Sequence, residues 1–536
     1  MAKPLGYFCL VLHAHLPFVR HPEYQDSMEE RWLYEAISES YLPLLKLMED
    51  WERDGVDFRL TLSLSPPLLS MLADALLQER FMKQLDKLLT LAESEVTRTQ
   101  WLPRLQPAAR HYRDRFWEYR EAYETQYKRD LIGAFAHFQE GGRLELLTSS
   151  ATHAFLPLMQ HQKAAVRAQI QIGTQTFARF FGHPPRGFWN AECGYYPGLD
   201  GLFQEAGVPY FFLDAHGILQ AAPRPRQGIY APVACPSGVA AFGRDVESSR
   251  AVWNAEVGYP SDPVYRDFYR DLGYDAEFDY IAPYIHESGQ RVATGIKYHR
   301  VTGPVPLSRK DLYDIDAAWR KAAEHAEDFV RQREAHAREL SQGMDRPPII
   351  VSPYDAELFG HWWYEGPVFL DQVMRRLCAA PEAVRPVTPS QYLAEYPDNQ
   401  TVAPVYSSWG EGGYAEVWLN PSNDWIYRYL HAAADRMVEV ARRLGGTTDP
   451  ALRRALNQMA RELLLAQSSD WAFIMRMGTV VDYAVNRTKE HLENFNRLLE
   501  QINAVAIDEP WLSQLEARHN IFPHLQFEVF AQAPVV

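Results

Sequence analysis

"VLHAHLPFVRHP", Val11 to Pro22, opens as a strand and closes as a loop, with His13 and His15 where the strand stops. Alternate side chains of an extended chain share one face, so both imidazoles point the same way. Just upstream, Leu5–Leu12 is almost wholly apolar, as a strand covered on both faces should be. Six more short runs share that character: Phe58–Leu64, Arg143–Leu147, Gly187–Trp189, Tyr210–Leu213, Val239–Phe242 and Ile349–Val351. Apolar residues at helical spacing lie between them, for example in Ala164–Phe181 and Leu199–Ala206. Strands alternating with helices predict a parallel sheet, and seven of them predict an α/β barrel.

The residues just beyond the strands point to a site. His13 and His15 come after the first, Thr148 and His153 after the third, Glu192 after the fourth, Asp214 and His216 after the fifth, Arg244 and Asp245 after the sixth, and Asp355 after the seventh. Active sites of such barrels sit at the carboxyl ends of the strands, so these polar groups are expected to converge on one pocket. His13 and His15 then have three readings: sugar-binding groups, metal ligands completed by His153, Asp214 or His216, or core filler.

Residues 74–139 break the alternation with charged, helix-forming sequence, read as a helical insertion within a barrel spanning residues 1–403. "GILQAAPRPRQGIYAPVACPS", Gly217–Ser237, is proline-rich and reads as a long loop near the pocket. Beyond Pro404 strand patterns stop; Trp425–Leu444, Ala451–Ala466 and Val480–Ile502 carry helical spacing, which predicts a C-terminal helical domain over residues 404–536.

The formal charge of −15, from 54 Lys plus Arg against 69 Asp plus Glu, argues against nucleic acid and anionic membranes, whose phosphates call for cations. Four cysteines without CxxC spacing fit a reducing compartment. Neither a signal peptide nor a membrane span is evident, so a cytoplasmic protein is expected. Aromatic residues reach 13%, enough to supply sugar-stacking faces as well as a core.

Two stretches carry candidate chemistry. "GFWNAECGYYPG", Gly187–Gly198, sets Glu192 beside Trp189, Tyr195 and Tyr196; "VSPYDAELFGHWWYEGP", Val351–Pro367, sets Asp355 beside Trp362 and Trp363. An apolar setting raises a carboxyl pKa and favours the proton-carrying form. A second carboxylate kept ionised can attack an anomeric carbon, and such a pair cleaves glycosides with retention. Glu357 competes with Asp355 for that role, and the residues alone do not choose.

"HAHLP", "GRLELLTSSATHAFLPL", "GFWNAECGYYPG", "GRDVESSRAVW", "VSPYDAELFGHWWYEGP" and "SSDWAFIM" resemble, in order, the motifs of glycoside hydrolase family 57, above all its 1,4-α-glucan (glycogen) branching enzymes. The resemblance runs from Leu5 to about Leu499. It implies a distorted (β/α)7 barrel with a helical insertion and a C-terminal helical domain. It implies Glu192 as nucleophile and Asp355 as general acid/base, with His13, His15 and His153 lining the pocket. Arg244, Ser261, Trp409 and Asp470 fall at substrate-binding positions, Trp253, Trp362 and Trp418 on an aromatic wall, and Tyr230 on a loop associated with branching. Asn190–Ala191 replaces the common Leu-Pro before the nucleophile, and Ser261 stands where glycine is frequent. The implied substrate is an α-glucan such as amylose, glycogen or a starch-like chain, handled without cofactor or metal; a monomer is expected, though the sequence does not give the oligomeric state. An α-amylase or 4-α-glucanotransferase of the same family is the alternative, and a metal-dependent hydrolase built on His13 and His15 the more distant one.

Overall fold

The computed structural model describes residues 3–254 and 257–531. Its strands are β1 (Gly6–Ala14), β2 (Leu60–Leu64), β3 (Leu144–Ser149), β4 (Phe188–Trp189), β5 (Tyr210–Leu213), β6 (Val233–Ala234), β7 (Ala240–Gly243), β8 (Ile349–Asp355) and β9 (Val384–Pro386). They form one sheet in the order β6-β7-β5-β4-β3-β2-β1-β8, with β9 also paired to β1. Every ladder is parallel except β6–β7. All seven apolar runs are strands. β6 and β9, two and three residues long, are too short to show a pattern and add to the seven.

The sheet curls until its ends meet. Asp245 N, just past β7, donates to the Val351 carbonyl of β8 at 2.8 Å. The Ser248 and Ser352 hydroxyls bond across the same seam at 2.6 Å. So sparse a closure makes a distorted (β/α)7 barrel. β1 is buried at each of its nine residues. Its register sets His13 opposite Ser63 on one side and Asp355 on the other, so backbone pairing alone brings the first histidine and a candidate carboxylate together.

The helices that matter for the site are α1 (Leu42–Arg53); α2 (Ala75–Arg98), α3 (Gln106–Glu121) and α4 (Leu131–Glu140) between β2 and β3; α5 (Lys163–Phe181); α6 (Val246–Trp253); α7 (Ile315–Ser341); and α8 (Gly366–Ala379). Asp74 starts α2 by accepting from the amides of Leu76 and Leu77, which satisfies donors a helix start leaves free. Past residue 404 come α9 (Tyr427–Leu444), α10 (Pro450–Ala466), α11 (Ser469–Met477), α12 (Val481–Ala504) and α13 (Glu509–Arg518). Three of these match the predicted helices; α11 and α13 are additional. No helix among the described residues is long and apolar enough to cross a membrane.

The junction of α10 and α11 is fastened to the barrel. Gln169 Nε2 donates to Gln467 Oε1 at 3.0 Å, and Ser469 N donates to the His153 carbonyl at 3.2 Å. That contact carries Ser469 and Asp470 to the strand ends. Further along, Glu462 accepts from His491 Nδ1 and His519 Nδ1, each at 2.7 Å, and from Gln458 Nε2 at 2.7 Å. Both histidines and the glutamate are fully buried. Burial opposes ionisation of Glu462, yet the two imidazoles hold its carboxyl well below the usual range. Glu462→Ala leaves both imidazoles without their acceptor, and removing one partner of a buried pair costs about 3–5 kcal/mol. A clear fall in the urea midpoint against the parent chain is the expected readout.

Candidate active site

Glu192 sits on a strained elbow. β4 ends at Trp189, and the chain turns through Ala191–Cys193 with Glu192 at φ 63° and Cys193 at φ 51°. Non-glycine residues in this left-handed region cost roughly 1–3 kcal/mol and persist only when their surroundings hold them. Asn190 does much of the holding: its Nδ2 donates to the Gly194 carbonyl at 3.1 Å and its Oδ1 accepts from Phe212 N at 3.3 Å. This bracing is invisible until the fold sets Phe212 beside Asn190. Trp409 closes the clamp. Its amide donates to the Glu192 carbonyl at 3.0 Å, and its indole N–H donates to Glu192 Oε2 at 2.7 Å.

Burial pushes the Glu192 carboxyl up to about 7, against the lowering effect of the Trp409 bond. Asp355 is shifted the same way. Burial, then Glu357, then the charge of Glu192 raise it well above the carboxylate range. Glu192 is thus among the charges that raise Asp355, and both residues keep part of their surface exposed. Glu357 is occupied otherwise: its Oε1 accepts from Tyr41 Oη at 2.5 Å and from His15 N at 3.2 Å. It ties the β8 loop to β1, and that leaves Asp355 as the carboxyl without a hydrogen-bond donor among the described residues.

The histidines form a stack. His13 and His153 bond Nε2 to Nε2 at 2.9 Å, which requires one donor and one acceptor. His15 and His153 stack with ring centroids 3.8 Å apart, and His13 stacks on Trp189 at 4.8 Å. Burial and mutual repulsion hold His13 and His153 well below the usual histidine pKa, so both are neutral. His153 Nδ1 meets Ser469 Oγ at 2.9 Å and lies 3.9 Å from Glu192 Oε1. His15 bonds Ser65 Oγ at 2.8 Å and Asp470 Oδ2 at 3.0 Å. Burial works against the Asp470 charge, but His15, His153 and Ser468 bring its carboxyl down to about 2. His15, His153 and Asp470 lie close enough to share an ion. The donor set fits one poorly, because ligating imidazoles converge by their edges, whereas these are stacked face to face with their ring nitrogens already bonded.

Arg244 reaches Asp214 Oδ2 at 2.6 Å and lies over the Trp409 ring at 5.7 Å. His216 bonds the other Asp214 oxygen at 2.9 Å and the Gly413 carbonyl at 2.8 Å. Trp253 and Trp362 pair at 5.8 Å, and Trp362 is 43% exposed, a free face for a sugar ring. Ser261 lies in the turn Tyr259–Ser261, where its Oγ donates to the Gly258 carbonyl.

Two expected positions need correction. Tyr230 is not brought to the pocket. Its carbonyl accepts from Ile349 N at 2.9 Å, at the first residue of β8, and its ring meets His336 of α7 edge-on at 5.0 Å. Its hydroxyl bonds Asp245, which bonds Val351, and Asp355 ends that same strand four residues further on, roughly 13 Å at ~3.3 Å per residue. The loop from Gly217 begins as a helical turn, Ala215–Leu219, and includes β6, whose pairing draws it down the barrel flank. Trp418 is not part of an open aromatic wall either. It is buried, stacked on Phe155 at 4.3 Å, with Gly410 packed against its ring. Asn190 and Ser469 are the residues that sequence reasoning missed. Ser469 stands inside the "SSDWAFIM" motif, and that motif was the one signal that could have found it.

A family model described as glycosyl hydrolase family 57 matches residues 9–344, and one described as 1,4-alpha-glucan branching enzyme, C-terminal, matches residues 429–530. The chain belongs to glycosyl hydrolase family 57. It is accordingly a retaining glycosyl-processing enzyme. The 1,4-alpha-glucan branching enzyme TK1436 of Thermococcus kodakarensis is 32% identical over 96% of this chain and 77% of that protein. Among solved structures, the alpha-amylase AmyC of Thermotoga maritima is 45% identical with TM-score 0.93, covering 99% of this chain and 100% of that one. The family 57 branching enzyme of Pyrococcus horikoshii is 32% identical with TM-score 0.88, covering 98% and 97%.

Trp409→Phe removes the donor that lowers the Glu192 carboxyl, so its pKa should rise above about 7. Titration of the labelled glutamate carboxyl by carbon NMR, parent against variant, reads the shift; an unchanged or lower value refutes the clamp.

Proposed function

We propose that the chain is a 1,4-α-glucan branching enzyme, with Glu192 as nucleophile and Asp355 as general acid/base. One observation carries this reading: both carboxyls flank one bonded pair of imidazoles, Asp355 in register beside His13 and Glu192 3.9 Å from His153. A carboxyl on each side of one pocket suits glycoside cleavage with retention, and Asp355, without a hydrogen-bond donor among the described residues, is the one open to proton transfer. Glu192 attacks the anomeric carbon as Asp355 protonates the departing glycosidic oxygen, giving a covalent glycosyl-enzyme. Asp355 then takes the proton of the acceptor. A 6-hydroxyl acceptor yields an α-1,6 branch, water yields hydrolysis, and a 4-hydroxyl yields a rearranged linear chain.

The other groups hold the sugar. The neutral imidazoles of His13 and His153, the Asp470–His15 pair and Arg244 offer hydrogen bonds to hydroxyls, and Trp362 with Trp253 offers a stacking face. Ser261 belongs to the same reading as a backbone contact. We assign no role in closure to Tyr230 or in stacking to Trp418. The chain divides, on this reading, into the barrel of residues 1–403, its insertion at 74–139 and the helical region 404–536. The four cysteines are unpaired, which supports a cytoplasmic setting.

The 45% identity to the Thermotoga maritima amylase favours a second reading, net hydrolysis. Incubation with amylose separates them: branching gives isoamylase-sensitive α-1,6 linkages with few new reducing ends, hydrolysis many reducing ends without branches. A chelator should leave the activity intact, and its loss would instead revive the metal-dependent alternative.

Asp355→Asn should lower kcat by about 10²–10⁴-fold, the usual worth of a positioned general acid/base, and azide should restore turnover in Glu192→Gly. The kcat/KM profile should be bell-shaped. It falls with decreasing pH through about 7 as Glu192 gains a proton, and falls at higher pH as Asp355 loses one.

A further inference from the structure

A second cavity, of about 420 Å³, lies behind the loop that comes after β8 and is lined by none of the carboxyls or histidines of the active site. Its size falls within the roughly 300–1,000 Å³ of small-molecule sites. Interiors rarely leave voids much larger than a water. Its walls are α1, α3, α7, α8 and the π-helical turn Ile37–Tyr41.

The lining has a distinct chemistry. Tyr119, Trp319 and Tyr364 supply aromatic surface. Arg266, only 4% exposed, stacks on Tyr364 at 3.8 Å and donates to the Gly295 carbonyl at 3.2 Å, while its Nε has no partner among the described residues. A buried donor left open asks for an acceptor. The other charges are balanced. Lys46 faces Asp50 at 3.4 Å, Arg115 faces Glu118 at 3.3 Å, Arg375 faces Asp371 at 2.7 Å and Glu39 faces His361 at 2.6 Å. Such a lining offers little net field to an anion or a cation. It does suit a neutral ring with hydroxyls at its rim and C–H groups on its faces.

The cavity also shares parts with the catalytic loop. The π-helical turn lines it with Glu39, while Tyr41 of the same turn bonds Glu357 at 2.5 Å. Gly360, at φ +114°, lets that loop pass so close that a Cβ there would fall 1.7 Å from the Glu39 carbonyl. His361 binds Glu39, Trp362 is exposed, and Tyr364 lines the cavity. π-Helical turns of this kind are frequent at functional sites.

We propose that this cavity is a second saccharide site, taking one or two α-1,4-linked glucosyl units. The inference rests on the α-glucan reading for the identity of the sugar. Isothermal titration of maltotriose into the full chain carrying Glu192→Gln, which cannot consume it, should resolve two sites. Adding Trp319→Ala or Arg115→Ala should weaken one of them at least tenfold and leave the other unchanged. Zero or one site overturns the proposal, and so do two sites that neither substitution weakens. The readings fail separately: a parent chain that leaves amylose untouched sinks the proposed function, whereas amylose turnover with a single maltotriose site sinks only the second cavity.

Discussion

One indole N–H governs the site. Burial raises the Glu192 carboxyl, and of the groups that bring it back to about 7, the Trp409 indole, His15 and Ser469, the indole is the largest. That donor is fixed from behind by the Trp409 amide on the Glu192 carbonyl, by Arg244 over the ring and by Asp214 on Arg244. The strained elbow, held by Asn190 on its other side, aims the carboxyl at this donor.

The imidazole stack is the complementary half. Stacked rings desolvate one another, and a bond between two Nε2 atoms excludes a charge on both rings at once. The wall opposite the carboxyls therefore offers polar contacts without adding cations from His13 and His153, which would otherwise pull both carboxyl pKa values down. Asp470 supplies a fixed negative charge instead, and it is one of the charges that keep Glu192 high.

Much of this was legible in the sequence. Strands buried on both faces write themselves as unbroken apolar runs, so the barrel and its strand-end groups could be read from local pattern. β6 and β9 could not, because two or three residues have no periodicity. Glu357 and Asp355 were indistinguishable because a side chain's partners, here Tyr41 and the His15 amide, come from distant segments. Where Tyr230 and Trp418 lie is hidden for the same reason. Motif position says that a residue is near a site along the chain; pairing of β6 with β7 and the stacking of Trp418 on Phe155 decide where it goes in space. The bracing by Asn190 is not legible, because a side chain that holds backbone has no chemical signature of its own.

The pocket joins residue 13 to residue 470 through the His13–His153–Ser469 and His15–Asp470 contacts. A ribosome adding about 5–20 residues per second needs roughly 6–23 s to travel from Asp355 to Asp470. For that interval the nascent barrel has both carboxyls synthesised before the last wall arrives. Prematurely terminated chains lacking α11 would thus emerge with His153 stripped of Ser469 and His15 of Asp470, and such fragments should be catalytically silent rather than unregulated.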